Sequence, residues 1–486
     1  MIRRLIFLSI AAAAALLAGC SSGSQTVDVD VIGKPESAFE QGQSLTLAGQ
    51  LVRSATAEGL VAFDEQGRVI PAMADRWIVT DDGLSYIFRL RDSTWPGGAE
   101  LSGESVKVAL DRAIKGLAGT PFGQDLAPVE EVRAMAGRVV EIRLSHAAPD
   151  LLDMLAQPEL GLLRKDVGTG TLQLKREGPM ALLTPVEPAR RGLPEETGWK
   201  DRTLALRLHA LPAAAAIQRF EEGKAAIVLG GGLADYPMAL DASGLARRAL
   251  RIDPVSGLFG LAVVRADGLL GTAELREALA MAIDRDSMAR DLAIREWVPT
   301  SRVVAPGAAA SIGERWLGMD IARRRAESSS RIAQWKARGG KPVTLRLALP
   351  TGPGTDFLFT RLLGDFAAIG VNVTRVAERA QADLRLVDAV ARYPGVNWYF
   401  NQLSCQAARG LCSPDADRAA AQAAQTGDAA QRAALLADAE RKLTAANVFI
   451  PLGSPVRWSL VSEPGYGFAT NARGLHPLSP MALRPK

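Results

Sequence analysis

The sequence predicts an α/β fold, and one segment indicates this directly. Apolar and polar residues alternate over 343–349 as in a strand, residues 357–369 have helical spacing, and residues 371–376 alternate again. Residues 350–354 break the chain before the helix, and Gly370 stands where a helix commonly ends on glycine. A strand, a helix and a second strand in this order form a crossover between parallel strands, so part of the protein contains a parallel sheet.

Other segments follow the same two periodicities. Turns at Gly67 and at residues 81–83 separate short apolar runs that predict strands at 60–63, 69–70, 77–79 and 86–90. Apolar residues at helical spacing predict helices over 104–115 and 275–283, and a long Ala-rich helix over about 428–446. A further strand is predicted at 384–387.

Composition supports a large globular protein. The chain has 486 residues, of which 48% are hydrophobic and 23% charged, enough for two or three packed cores. With 57 basic and 53 acidic residues, the charge is close to balance and gives no electrostatic case for nucleic acid as a partner. Disorder and a small disulfide-held scaffold are excluded.

The N-terminus has the pattern of a secretory leader. Arg3 and Arg4 precede an apolar run over 5–18, which is too short to span a bilayer. The junction Leu17-Ala18-Gly19-Cys20 resembles the lipobox of bacterial lipoproteins, which implies a signal peptide over 1–19, lipidation of Cys20 and a tether over 20–25. An ordinary signal peptide with a chance cysteine is the alternative. We expect a periplasmic or cell-envelope lipoprotein that is held to the membrane through Cys20.

The remaining two cysteines, Cys405 and Cys412, predict a structural disulfide in an oxidising compartment. The alternative is a metal or redox site, but their spacing fits neither Cys-x-x-Cys nor a zinc pattern, and no histidine lies near them.

Motifs of catalysis are missing from the sequence. It has three histidines, no His-Glu-x-x-His and no phosphate-binding loop, and its Gly-x-Ser-x-Gly string at 19–23 straddles the expected cleavage site. We therefore expect no catalytic residues, no metal site and no cofactor.

Five motifs, in order, resemble one known family. They lie in residues 58–91 (Glu58-Gly59-Leu60-Val61 to Arg91), 95–106 (Trp95-Pro96-Gly97-Gly98 onward), 168–170 (Gly-Thr-Gly), 220–223 (Phe-Glu-Glu-Gly) and 275–285 (Leu-Arg-Glu-Ala-Leu-Ala-Met-Ala-Ile-Asp-Arg). This order is similar to that of the peptide/nickel class of ABC-importer solute-binding proteins, which includes dipeptide- and oligopeptide-binding lipoproteins. Ser105 stands where that family usually has Asp.

The resemblance implies a two-lobed periplasmic-binding-protein fold, type II and cluster C-like, with an extra subdomain in the first lobe. We place lobe I at 26–262 with the subdomain at about 50–160, lobe II at 263–455, and a return to lobe I at 456–486. The resemblance also implies a monomer that catalyses no reaction. Such a protein encloses a small peptide-like solute by hinge closure and presents that solute to permease and ATPase subunits. A lipid-anchored hydrolase or a solute sensor with the same cleft is the alternative.

Residues 393–400, here called the aromatic segment, contain four aromatic residues and follow a predicted strand. Ligand residues commonly lie at such strand ends, so we expect ligand contacts from Arg392, Tyr393, Asn397, Trp398 and Tyr399. The alternative is that individual rings pack under the loop, which we do not expect of all four. In peptide-binding members the similar stretch carries an Asp that pairs with the peptide ammonium, but residues 391–396 contain no carboxylate.

Two residues bear on that missing charge. Asp388 is the nearest carboxylate in the sequence, whereas Arg392 favours an anionic solute unless it is a solvated loop residue.

Overall fold

Two α/β lobes form the body of the protein in a computed structural model that describes residues 26–294, 297–306, 308, 312–341 and 344–485. The first lobe contains a seven-stranded sheet, ordered Leu250–Ile252, Trp458–Val461, Ile227–Gly231, Thr26–Ile32, Ala205–Leu211, Met180–Pro185 and Leu172–Glu177. The second contains a five-stranded sheet, ordered Asn372–Ala377, Thr344–Leu349, Leu384–Val390, Gly257–Val263 and Phe449–Gly453. The expected leader and Cys20 lie outside the described residues.

The predicted crossover is confirmed in the second lobe. Strand Thr344–Leu349 pairs in parallel with Asn372–Ala377, starting at Thr344 opposite Asn372. Helix Pro353–Ala367 connects them and buries Leu358, Leu362 and Phe366 completely, one residue from each successive turn. Apolar spacing thus fixes which face of the helix meets the sheet.

A smaller unit belongs to the first lobe. Its antiparallel sheet is ordered Ala74–Val79, Ser85–Leu90, Val139–Leu144 and Val129–Ala134, beside the two-stranded sheet of Val61–Phe63 and Val69–Pro71. Helix Gly103–Gly116 packs on it and begins with a capping box, in which the Ser102 and Ser105 side chains each accept a hydrogen bond from the other residue's N–H. Ser105 Oγ also accepts a hydrogen bond from Trp95 Nε1 at 2.9 Å, so it caps the helix and holds the indole at once.

The other helices cover the sheets. The α-helices are Leu47–Thr56, Pro121–Asp125, Leu151–Leu155, Ala213–Glu221, Tyr236–Asp241, Gly244–Ala249, Ala273–Ala282, Arg285–Leu292, Ile321–Ala337, Asn397–Leu403, Pro414–Ala424, Ala429–Ala446 and Leu478–Met481. Short 3-10 turns lie at Pro35–Phe39, Pro158–Leu160, Pro188–Arg191, Trp199–Arg202, Leu233–Asp235 and Gly268–Leu270. In the described part of the chain, none of these helices combines the length and apolarity needed to cross a bilayer.

The chain passes between the two main sheets at two crossing segments, residues 253–256 and 454–457. The crossing segment at residues 253–256 lies earlier in the chain than the lobe boundary that we expected between residues 262 and 263. The reason is that strand Gly257–Val263 pairs within the sheet of the second lobe. Six of its seven residues are buried, so both of its faces are apolar and it shows no alternation that would mark it as a strand.

Candidate functional site

The aromatic segment lies between the lobes. It follows strand Leu384–Val390 and enters helix Asn397–Leu403, which packs against helix Pro121–Asp125 of the first lobe. Tyr393, Trp398 and Tyr399 are each 1% exposed and Phe400 is 5% exposed, within an apolar core shared with the first lobe. All four rings are therefore buried, because the segment packs against the other lobe as well as its own, and their contact with a solute stays a prediction.

Asp125 is the polar centre of this interlobe contact, by which we mean the two helices Pro121–Asp125 and Asn397–Leu403 with residues 391–396. Its Oδ1 accepts hydrogen bonds from the Tyr393 hydroxyl at 2.8 Å and from Asn401 Nδ2 at 2.7 Å. Burial raises the pKa of Asp125 to about 6, although the two hydrogen bonds and the charge of Arg392 oppose the rise. Burial and the nearby Asp125 carboxylate likewise raise the pKa of Tyr393, so the phenol remains a donor.

Arg392 spans the two lobes. Its Nη1 and Nη2 donate to the two carboxylate oxygens of Glu159 at 2.9 and 2.8 Å, and its guanidinium lies 4.8 Å from the ring centre of Phe122. Its carbonyl accepts hydrogen bonds from Gln157 and from Arg473, both of which lie outside the second lobe. Arg392 is thus not a solvated loop residue, and its charge is already paired with a carboxylate.

The other candidates from the sequence lie apart from this centre. Asn397 is exposed at the start of its helix. Asp388 accepts a hydrogen bond from Arg457 at 2.8 Å beside a crossing segment, so its charge is also paired.

Sequence reasoning missed the first-lobe side of the contact. Asp125 and Glu159 lie more than 230 residues from their partners Tyr393 and Arg392. The single local signal is the helix start at Thr120-Pro121, where the Thr120 side chain accepts a hydrogen bond from the N–H of Gly123. That signal predicts a helical turn and says nothing of a site.

Two of the family-like motifs have structural roles. Glu58 is buried and receives hydrogen bonds from Arg91, from Arg191 at 2.8 Å and from Thr169 Oγ1 at 3.0 Å. A Cβ at Gly168 or Gly170 would overlap the backbone of residues 55–57. The Gly-Thr-Gly motif therefore lets two chain segments meet over this ion cluster.

A depression of about 760 Å³ lies elsewhere in the first lobe, beside the start of the central strand Thr26–Ile32. Its arginines, Arg207 and Arg219, pair with Asp28 and Asp30. These pairs balance the charges of the two arginines, so we place the candidate site at the interlobe contact.

The cysteines of the second lobe lie next to the contact. Cys405 and Cys412 are joined in the structure, with their Cα atoms 4.9 Å apart, in the loop that follows helix Asn397–Leu403. Within the described ranges, no group of three or more His, Cys, Asp or Glu side chains is placed to hold a metal ion.

Known proteins resemble this chain in part by sequence. Residues 68–179 match the profile described as bacterial extracellular solute-binding proteins, family 5 Middle. A probable deoxycholate-binding periplasmic protein of Escherichia coli K12 is 33% identical over 121 residues, which cover 21% of this chain and 23% of that protein. The chain thus aligns with less than a quarter of that relative's length.

Solved structures resemble it over almost the whole chain. The protein OppA of Haemophilus influenzae, in complex with RPPGFSPFR, matches with a TM-score of 0.79 and 16% identity, covering 95% of this chain and 99% of that one. The murein tripeptide binding protein MppA of Escherichia coli matches with a TM-score of 0.78 and 17% identity, covering 96% and 99%. The predicted resemblance is therefore confirmed, since this chain carries the family 5 sequence pattern over residues 68–179 and the two-lobed periplasmic-binding-protein fold over nearly its whole length.

Proposed function

We propose that this protein is the extracytoplasmic solute-binding component of an ABC importer and that it encloses a small peptide or peptide-like solute between its lobes. It acts as a binding protein, with no reaction of its own. The observation that carries this proposal is the pair of α/β sheets joined at two short crossing segments, with polar and aromatic side chains facing each other where the lobes meet.

Closure follows from that geometry. Rotation about residues 253–256 and 454–457 separates helix Pro121–Asp125 from helix Asn397–Leu403 without breaking either main sheet. A solute that contacts both helices stabilises the closed arrangement, because it binds that state better than the open one. The closed form is the one that a permease and its ATPase subunits would recognise.

The solute contacts that we propose come from the aromatic segment. Tyr393, Trp398 and Tyr399 supply rings and hydrogen-bonding groups, and Asn397 lies at the exposed margin. Arg392 contributes by holding the lobes together through Glu159.

The cellular setting belongs to the same proposal. The chain is a monomer that is processed before Cys20 and anchored to the membrane by lipid on that residue, and Cys405 and Cys412 form a disulfide in the oxidising compartment. The lobes comprise residues 26–252 with 458–485, and 257–453.

The test uses the processed chain from residue 20 with Cys20→Ser, produced with its disulfide intact and stripped of bound solute. Its melting temperature is recorded with free amino acids, di- to pentapeptides, glutathione, deoxycholate, opine-like anions and nickel chelates. A solute present at 100 times its dissociation constant adds about 2.7 kcal/mol of stability, which is a clear shift.

We expect at least one peptide-like member to raise the melting temperature, to reduce the radius of gyration in solution scattering, and to be recovered unchanged. No shift with any member would contradict the proposal, and conversion of a bound member to product would favour an enzyme. With the bound member, Trp398→Ala should weaken binding, and unchanged affinity would remove Trp398 from the site.

A further inference from the structure

A cavity of about 640 Å³ lies in the first lobe, apart from the interlobe contact and from the depression near Thr26. Its walls are the turn at residues 95–98, residues 166–170, residues 172–174 of the edge strand, and residues 190–191. Pockets that hold small molecules in proteins have volumes of about 300–1,000 Å³ and combine apolar walls with a few polar groups. Every lining residue belongs to the first lobe, so the proposed closure makes no use of this cavity.

Part of the cavity wall is apolar. Leu163 and Val186 are half-buried in the lining, which also includes the buried Trp95, whose indole is fixed by a hydrogen bond. Val167 and Leu174 belong to the same lining and are exposed. A hydrocarbon chain or ring that covered these side chains would remove apolar surface from water, which is favourable.

A free strand edge borders the cavity. Strand Leu172–Glu177 is the last strand of the seven-stranded sheet. The carbonyl of Thr171 accepts a hydrogen bond from the N–H of Val186 at 2.8 Å, and hydrogen-bonded residues alternate along an antiparallel pair. The backbone groups of Leu172 and Leu174 therefore point away from the neighbouring strand, and both residues line the cavity. In the described part of the chain no backbone group pairs with them on that side, so their N–H groups are available as donors.

Positive charge is in excess at the cavity wall. Arg191 Nη2 donates to Glu58 Oε1 at 2.8 Å, but Glu58 also pairs with Arg91, so two arginines share this carboxylate. Arg190, the next residue in the wall, is exposed and forms no ion pair within the described ranges. Asp166 is the acidic member of the lining, and it is exposed. Three arginines thus stand against two carboxylates.

These features specify the chemistry of a ligand. A guanidinium binds a carboxylate or a phosphate through paired hydrogen bonds, and it repels an amine. A bare inorganic ion would satisfy the charge and leave the apolar wall exposed to water. The ligand that satisfies both walls has an anionic head group on a hydrocarbon or ring body.

We propose that this cavity binds a small amphipathic anion whose head group pairs with Arg190 and Arg191. The hydrocarbon body of the anion lies against Leu163 and Val186, and the outward N–H groups of the edge strand are further donors. The site is separate from the proposed solute cleft. Because it belongs to a single lobe, a ligand bound there contacts the open and closed arrangements equally and leaves closure unchanged.

The probes are octanoate, 1-octanol and acetate, which separate the anionic head group from the apolar body. Octyl phosphate is added to compare the two possible anionic head groups. Calorimetry gives the dissociation constants for the chain from residue 20 with Cys20→Ser and for three variants of it. Arg190→Gln removes the unpaired cation, and Leu174→Gln makes the exposed wall polar. Arg247→Gln is the matched control, because it removes an exposed arginine of the same lobe that does not line the cavity.

We expect octanoate or octyl phosphate to bind about tenfold more tightly than 1-octanol, and acetate to bind more weakly than either anion. The tighter of the two anions identifies the preferred head group. Its binding should weaken by about fivefold in Arg190→Gln and by about threefold in Leu174→Gln, and should be unchanged in Arg247→Gln. The radius of gyration should stay the same on binding.

Three results would overturn the inference. They are no binding of either anion at about 1 mM, binding no tighter than that of 1-octanol, and unchanged affinity in Arg190→Gln. Binding that reduces the radius of gyration would place the anion between the lobes and also contradict it. Melting curves verify that each variant is folded, and if Arg190→Gln is not, Leu174→Gln and the comparison with 1-octanol still decide. The proposed function is independent of all these outcomes, because its own test uses peptide-like solutes and closure of the lobes.

Discussion

Two buried carboxylates, Glu58 in the first lobe and Asp125 at the interlobe contact, have opposite surroundings. Burial alone would raise the pKa of Glu58, but Arg91, Arg191 and their hydrogen bonds hold it below its ordinary value. Burial raises the pKa of Asp125 to about 6, because its direct partners are a phenol and an amide. Glu58 therefore belongs to a complete ion cluster, whereas the hydrogen-bond partners of Asp125 are neutral and burial favours its protonated form.

Replacing Glu58 should have the larger effect on stability. Glu58→Gln leaves Arg91 and Arg191 buried without a counter-charge, so we expect the free energy of unfolding to fall by about 3–5 kcal/mol. Urea unfolding measures this, with Glu131→Gln as the control, since its pair with Arg133 is exposed and such pairs contribute about 1 kcal/mol or less. A loss below about 1 kcal/mol for Glu58→Gln would show that the cluster is not the structural centre we describe.

The pair between Arg392 and Glu159 should have an intermediate effect. Glu159 is buried, and Arg392→Gln removes the two hydrogen bonds of 2.8 and 2.9 Å that Glu159 accepts from Arg392. Glu159 then retains only the longer hydrogen bond from Gln50 Nε2, at 3.2 Å, among those described. We expect closure to weaken by about 1–3 kcal/mol and the radius of gyration to increase.

Arg392→Gln combined with Glu159→Gln is the matched comparison, since it removes both charges. The double variant should recover part of the closure that the single variant loses. Equal radii of gyration for all three proteins would mean that this pair does not hold the lobes together.

The smallest predicted effect is on the pH dependence of stability, which should have opposite signs for Asp125 and Glu58. The pKa of Asp125 is raised on folding from an ordinary 3.8 to about 6, so its folded form binds the proton more tightly and its contribution to stability is lost as pH rises through 6. Glu58, with its lowered pKa, has the opposite sign, and its contribution is lost as pH falls.

We therefore expect Asp125→Asn to be at least as stable as the parent at pH 7.5. Its advantage over the parent should shrink by about 1–1.5 kcal/mol between pH 7.5 and pH 5. Urea unfolding of both proteins at the two pH values measures this. A difference that is constant with pH would mean that Asp125 is not titrating in this range.

The sequence by itself determined the local elements and the family-like motifs. Regular apolar spacing was enough for the crossover at 344–377, because the face of that helix is fixed by positions within one chain segment. The same reasoning predicted helices 273–282 and 429–446 to within about two residues at each end. It failed for strand Gly257–Val263, where both faces are buried and the periodic signal disappears.

Only the tertiary structure decided which charges are free. Arg392 and Asp388 carry the charges that stand out near the aromatic segment in the sequence, and both are paired with residues distant along the chain. Asp125 has no motif around it, and it became a candidate only because folding buries it opposite Tyr393 and Asn401. Pairing and burial depend on contacts across the whole fold, and no local pattern of residues encodes them.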